Sequence, residues 1–122
     1  MATVEIWTFR TQSAIGTDLT GFTVEAIDGK IGKVDEATQE VGGSYVVVDT
    51  GPWIFGKKVM LPAGVIRDVD LDTETIFVDR TKDEIKSGPE FDEKTYRGQG
   101  YRTQVGDYYG PGGRGYRDPG VR

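Results

Sequence analysis

Apolar and polar positions alternate with a period of two along much of residues 22–80. Phe22, Val24 and Ala26 are apolar while Thr23 and Glu25 are polar, the pattern of a strand with one face turned inward. Asp28-Gly29 follows, flanked by Ile27 and Ile31, and this dipeptide favours the left-handed backbone of a type I′ hairpin turn. A return strand is expected over about Lys30–Thr38, with Gly32 marking a bulge or a close backbone approach. Gly42-Gly43 predicts the next turn. Ser44–Thr50 (SYVVVDT) is β-branched almost throughout, which predicts a strand buried on both faces. Three more short strands are expected: Lys57–Leu61 stopped by Pro62, Val65–Leu71, and Thr75–Arg80. Six short strands joined by tight turns predict an all-β fold, a small barrel or sandwich. Thr81 and Glu84 have capping-box spacing, so a short helix over Lys82–Lys86 should follow the last strand and end before Pro89.

The two ends have a different texture. Ile6-Trp7-Thr8-Phe9 fits a strand, and Gln12–Leu19 fits one helical turn. Residues 92–122 hold eight glycines, two prolines and five of the six tyrosines. Such a segment buries too little to offset its ordering entropy, which predicts a flexible or partner-ordered tail. The chain therefore divides into an N-terminal segment (1–18), a barrel domain (19–91) and a C-terminal tail (92–122).

Composition narrows the chemistry. The 122 residues suit one domain with a core of its own. There is no cysteine, hence no disulfide, thiolate metal site or nucleophilic thiol. There is no histidine, which removes the commonest general base and metal ligand. Asparagine is absent too, and with it any N-glycosylation site. The opening MATVEIWTFR lacks a basic start and an apolar core, and no apolar run approaches the ~18 residues of a membrane span. A cytoplasmic protein with no membrane span is the expectation. The net charge is −5, unevenly placed: residues 1–91 carry 9 basic and 16 acidic side chains, residues 92–122 carry 6 and 4.

The strand region resembles a known family. The run GFTVEAIDGKIGKVDEA, then SYVVVDTG, GKKVMLPAGVI and TIFVDRTKDEIKSGPEF, is similar to a PRC-barrel domain. This small barrel is shared by the cytoplasmic part of the photosynthetic reaction-centre H subunit and the C-terminal domain of the ribosome maturation factor RimM. The likeness runs from about Leu19 to Phe91. It rests most on Asp28-Gly29 with Ile31-Gly32-Lys33-Val34, on Leu61-Pro62, and on Thr81-Lys82-Asp83, Ile85-Lys86 and Pro89. It looks most like the free-standing bacterial members. The resemblance implies a six-stranded barrel that makes protein contacts and has no common catalytic residues or cofactor.

Two near-motifs fail on context. Gly51 to Lys58 (GPWIFGKK) approaches a phosphate-binding loop. It has Lys58 where magnesium needs a hydroxyl, bulky residues inside the loop, and a proline-cut strand where a helix must follow. Asp68, Asp70 and Asp72 approach the opening of a calcium loop, but Thr73 and Asp79 stand where glycine and a bidentate glutamate are required. The plainer expectation is that Val69 and Leu71 point inward while the aspartates form a solvated face. The remaining carboxylates select no acid/base pair.

Interaction chemistry is better represented. Trp53-Ile54-Phe55 places three large apolar residues in a connection between strands, either plugging a barrel end or anchoring a partner. Trp7 and Phe9 either cap the barrel or add to a neighbour's edge. In the tail, Tyr101, Arg102, Tyr108, Tyr109, Arg114, Tyr116 and Arg117 supply rings and guanidinium groups suited to stacking and cation–π contacts. The expected function is a non-enzymatic binding module that forms a homodimer and docks onto another protein. Nucleic-acid binding through the tail is the alternative; the acidic barrel opposes it.

Overall fold

The computed structural model describes residues 6, 7, 9, 16–38, 43–51, 58–89, 91, 92, 94, 96, 98–110 and 113. Six strands form one sheet: β1 (Thr23–Ala26), β2 (Gly29–Ala37), β3 (Tyr45–Asp49), β4 (Lys58–Pro62), β5 (Ile66–Asp70) and β6 (Thr75–Val78). Their order is β4-β3-β2-β1-β6-β5. Every neighbouring pair is antiparallel except β1–β6, which is parallel. The edge strands β4 and β5 are consecutive in the chain, joined by a single 3-10 turn at Ala63–Val65. Among the described residues no ladder joins them, so the sheet stays open there in hydrogen-bond terms.

Strand patterning explains the core. Phe22, Val24 and Ala26 are buried while Thr23 and Glu25 are half-exposed, as the alternation predicts. Tyr45 to Val48 are buried without a break, the expected signature of a strand covered on both faces. All six strands contribute to one hydrophobic cluster, which also takes in Ile6, Phe9, Leu19 and Ile85.

The β1–β2 turn differs from the expectation. Ala26 pairs with Gly29, leaving Ile27 and Asp28 as the turn. Asp28 does not adopt positive φ; Gly29 does, at 145°. The reason is tertiary. Ile27 N–H donates to the Arg80 carbonyl at 2.9 Å, and the Asp28 carboxylate accepts from Lys82 N–H at 2.8 Å. The turn is therefore docked on the end of β6 and the start of the next helix rather than shaped by its own dipeptide. Gly32 behaves as expected: it lies beside a register shift and has φ 156°, and a Cβ there would sit 2.0 Å from the Asp49 carbonyl oxygen. Leu71 does not point inward. It lies beyond the end of β5 in the hairpin turn and is 48% exposed.

Helix α1 (Lys82–Lys86) carries the capping box in both directions: Glu84 N–H donates to Thr81 Oγ1, and Thr81 N–H donates to the Glu84 carboxylate. The expectation of a flexible or partner-ordered tail is corrected for residues 99–109, which form a second helix, α2 (Gln99–Tyr109), within the chain itself. Its composition is poor for a helix, with Gly100 and Gly106 inside and no side-chain cap. Packing supplies what propensity lacks. Tyr101, Val105 and Tyr109, four residues apart, are buried along one stripe, and α2 lies against β4.

Ile6 and Trp7 are bonded to the edge of this sheet. The Ile6 carbonyl accepts from Gly64 N–H at 2.7 Å, and the Trp7 carbonyl accepts from Ser44 N–H at 2.9 Å. These bonds tie both residues to the start of β3 and to the 3-10 turn.

Candidate functional site

Three regions gather side chains with chemical potential: a concavity over β2 and β3, the seam between α2 and the barrel, and the β5–β6 hairpin.

The concavity has a volume of about 480 Å³ and mainly carbon walls. Lys30, Ile31, Gly32 and Lys33 line it from β2, and Asp49, Thr50 and Gly51 from the end of β3. Two glycines shape it. At Gly32 the absence of a side chain lets the β3 backbone come close, and Gly51 turns the chain with φ 56°. Asp49 steadies that turn, one carboxylate oxygen accepting from Gly51 N–H at 2.9 Å. Two lysines and one aspartate leave this rim positive on an acidic chain. Gly51 is also the residue from which the Trp53-Ile54-Phe55 connection departs; Trp53, Ile54 and Phe55 lie outside the described residues.

At the seam, Arg102 donates to the Gly43 carbonyl at 2.9 Å. Its guanidinium carbon stands 5.1 Å from the Trp7 ring centre and 5.7 Å from that of Tyr45. Gly106 admits the Trp7 indole, since a Cβ there would meet its Nε1 at 3.0 Å. Arg80 is 2% exposed and donates to the Asp79 and Tyr109 carbonyls, so a buried charge holds the last turn of α2. The Tyr108 hydroxyl donates to the Glu84 carbonyl at 2.5 Å and that of Tyr101 to the Pro89 carbonyl at 3.3 Å. Tyr45 and Tyr96 both donate to the Glu36 carboxylate. Burial, with the Asp92 carboxylate nearby, pushes the Tyr101 phenol up to about 12. Burial pushes Tyr109 up further, helped by neighbouring Tyr108 and opposed by Arg80.

Of the tail residues expected to meet a partner, Tyr101 and Tyr109 are buried and Arg102 and Tyr108 are half-buried in contacts within the chain. The partner-facing role is thereby corrected for the two buried rings. Arg114, Tyr116 and Arg117 lie outside the described residues. Trp7 is half-buried and Phe9 buried, which favours capping over addition to a neighbour's edge. The signal for α2 was present in the spacing Tyr101, Val105, Tyr109; the surrounding glycines masked it.

On the hairpin, the carboxylates shape the local backbone. Asp68 accepts from Val69 N–H at 2.9 Å, and Asp70 accepts from the N–H groups of Asp72 and Thr73. Among the described residues no group of three or more His, Cys, Asp or Glu is arranged to hold a metal ion. A shallow concavity of about 420 Å³ is lined by Asp68, Val69, Asp70, Leu71, Asp72 and Phe77. Arg67 lies over the Phe77 ring at 5.4 Å. Among the described residues no helix is long and apolar enough to cross a membrane.

No protein-family model matches the sequence, and no curated protein matches it. Among solved structures, the chain is similar to one described as a 16S ribosomal RNA processing protein, RimM, from Pseudomonas aeruginosa. The TM-score is 0.46 at 18% sequence identity. The match covers 60% of this chain and 49% of that one, so this chain spans about half the length of that protein.

Proposed function

We propose that this protein is a non-enzymatic, cytoplasmic binding module of the PRC-barrel type that pairs with a second copy and docks onto another protein. The observation that supports this most is the 480 Å³ concavity at the point where the chain leaves β3 for Trp53-Ile54-Phe55. Trp53 and Phe55 follow Gly51 in the chain, and aromatic side chains commonly anchor interfaces. The absence of histidine and cysteine from the sequence agrees with a role outside catalysis. The nucleic-acid reading has less to work with, because the Tyr101 and Tyr109 rings that would stack on bases are buried.

Light scattering and affinity purification on wild type and on the Trp53→Ala/Phe55→Ala variant test this reading. The wild type should self-associate and retain a protein partner, and the double variant should lose one or both. A wild-type monomer at high concentration, with no partner lost on mutation, overturns it.

A further inference from the structure

Asp28 is the only aspartate in the chain that a glycine follows. This dipeptide has a covalent chemistry of its own. The backbone nitrogen of the second residue attacks the side-chain carboxyl carbon of the first and closes a five-membered succinimide. The amide proton and the carboxyl hydroxyl leave together as water. Water then opens the ring at either carbonyl. One opening restores aspartate; the other gives isoaspartate, in which the main chain runs through the former side chain. The water lost on closure is regained on opening, and no oxidant or other co-reactant is needed. Glycine favours closure because no Cβ obstructs the approach to its nitrogen.

The fold restrains both reacting atoms. Asp28 is exposed, so water reaches it, but its carboxylate is bonded to Lys82 N–H, 2.8 Å away and 54 residues on. Gly29 ends the β1–β2 ladder opposite Ala26, and Ile27 N–H is tied to the Arg80 carbonyl. Closure needs the carboxyl carbon to swing onto the Gly29 nitrogen, a motion that the bond to Lys82 opposes. Isoaspartate lengthens the main chain and shortens the side chain by one carbon, which alters the spacing on which this docking depends.

We infer that Asp28-Gly29 is the site at which this chain converts spontaneously to isoaspartate, and that the bond from Lys82 N–H is the brake on that reaction. The undocked turn is the reactive form, so the rate follows its population. A hydrogen bond to a charged acceptor shifts such a population about tenfold or more.

Peptide mapping of the full chain, aged at neutral pH in heavy-oxygen water, is the test. Ring opening places a heavy oxygen in the peptide that holds residues 28 and 29, and its isoaspartyl form separates by chromatography. Lys82→Pro removes the donor. Residue 82 opens α1, where proline is tolerated, and Thr81 is already extended, with ψ 164°, as the residue before a proline requires. Lys82→Ala keeps the N–H and removes the side chain, whose Cδ lies 3.7 Å from where a Gly29 Cβ would stand. Label and isoaspartate at residue 28 should rise about tenfold in Lys82→Pro and stay at the wild-type level in Lys82→Ala. They should vanish in Asp28→Glu, whose longer side chain cannot close the same ring. Wild type unfolded in urea should exceed folded wild type by at least the same factor, a comparison that decides the matter if Lys82→Pro does not fold. Equal rates in Lys82→Pro and wild type, or in folded and unfolded wild type, overturn the brake. So does a rise in Lys82→Ala that matches Lys82→Pro. Isoaspartate arising first at another aspartate overturns the site.

Discussion

Gly32 carries two constraints at once. Its φ of 156° is unfavourable for an L side chain, and any Cβ would sit 2.0 Å from the Asp49 carbonyl oxygen. That neighbour is backbone held in the β2–β3 ladder, so it cannot move aside. Gly32→Ala should therefore cost about 2–4 kcal/mol, combining backbone strain with overpacking. Gly51 differs: its φ is 56°, but among the described residues nothing lies within 4 Å of where a Cβ would stand. Gly51→Ala should cost only about 1 kcal/mol, the ordinary penalty of the left-handed region. Urea unfolding of the two variants measures the gap, and equal losses would contradict the steric account. Gly32 was legible in the sequence as a bulge or close approach. The recess beside it was not, because a concavity arises from two strands and leaves no periodicity in either.

At the scale of elements, α1 and α2 are stabilised differently. α1 is set by local chemistry, with Thr81 and Glu84 satisfying each other's backbone donors. α2 has no such cap and depends on its buried stripe and on Arg80 and Arg102. This dependence has a pH consequence. The Tyr101 phenol releases its proton near pH 10 in an unfolded chain and at about 12 in the folded one. The unfolded state thus loses the proton first, and stability present in full below pH 10 is lost as pH rises toward 12. The thermal midpoint should fall across that window, and fall less in Tyr101→Phe. Tyrosinate absorbance should show Tyr101 ionising late, and ionisation near pH 10 in the folded protein would remove the basis of the argument.

For the molecule as a whole, α2 belongs to the folded unit. Ending the chain after residue 98 removes Tyr101, Val105 and Tyr109 from the core and strips buried Arg80 of its Tyr109 acceptor. The truncated chain should lose about 3–5 kcal/mol in chemical denaturation. Undiminished stability would mean that residues 99–122 contribute nothing to the fold. The dividing line drawn near Phe91 from charge and glycine content separates two compositions, and the core crosses it.

The sequence by itself determined what depends on near neighbours in the chain: six strands from alternation and β-branching, the Gly32 approach, and the Thr81–Glu84 cap. It also excluded chemistries that need histidine or cysteine. Tertiary structure decided what depends on residues far apart. The parallel β1–β6 pairing brings Glu25 beside Phe77, residues far apart in the chain. Docking of Asp28 on Lys82 N–H overrides the turn preference of Asp28-Gly29. Burial of Tyr101, Val105 and Tyr109 makes a helix from a glycine-rich segment whose own propensity opposes one. In each case a long-range contact outweighs a local preference of about 1 kcal/mol, a margin that a single buried side chain or charge-assisted hydrogen bond exceeds.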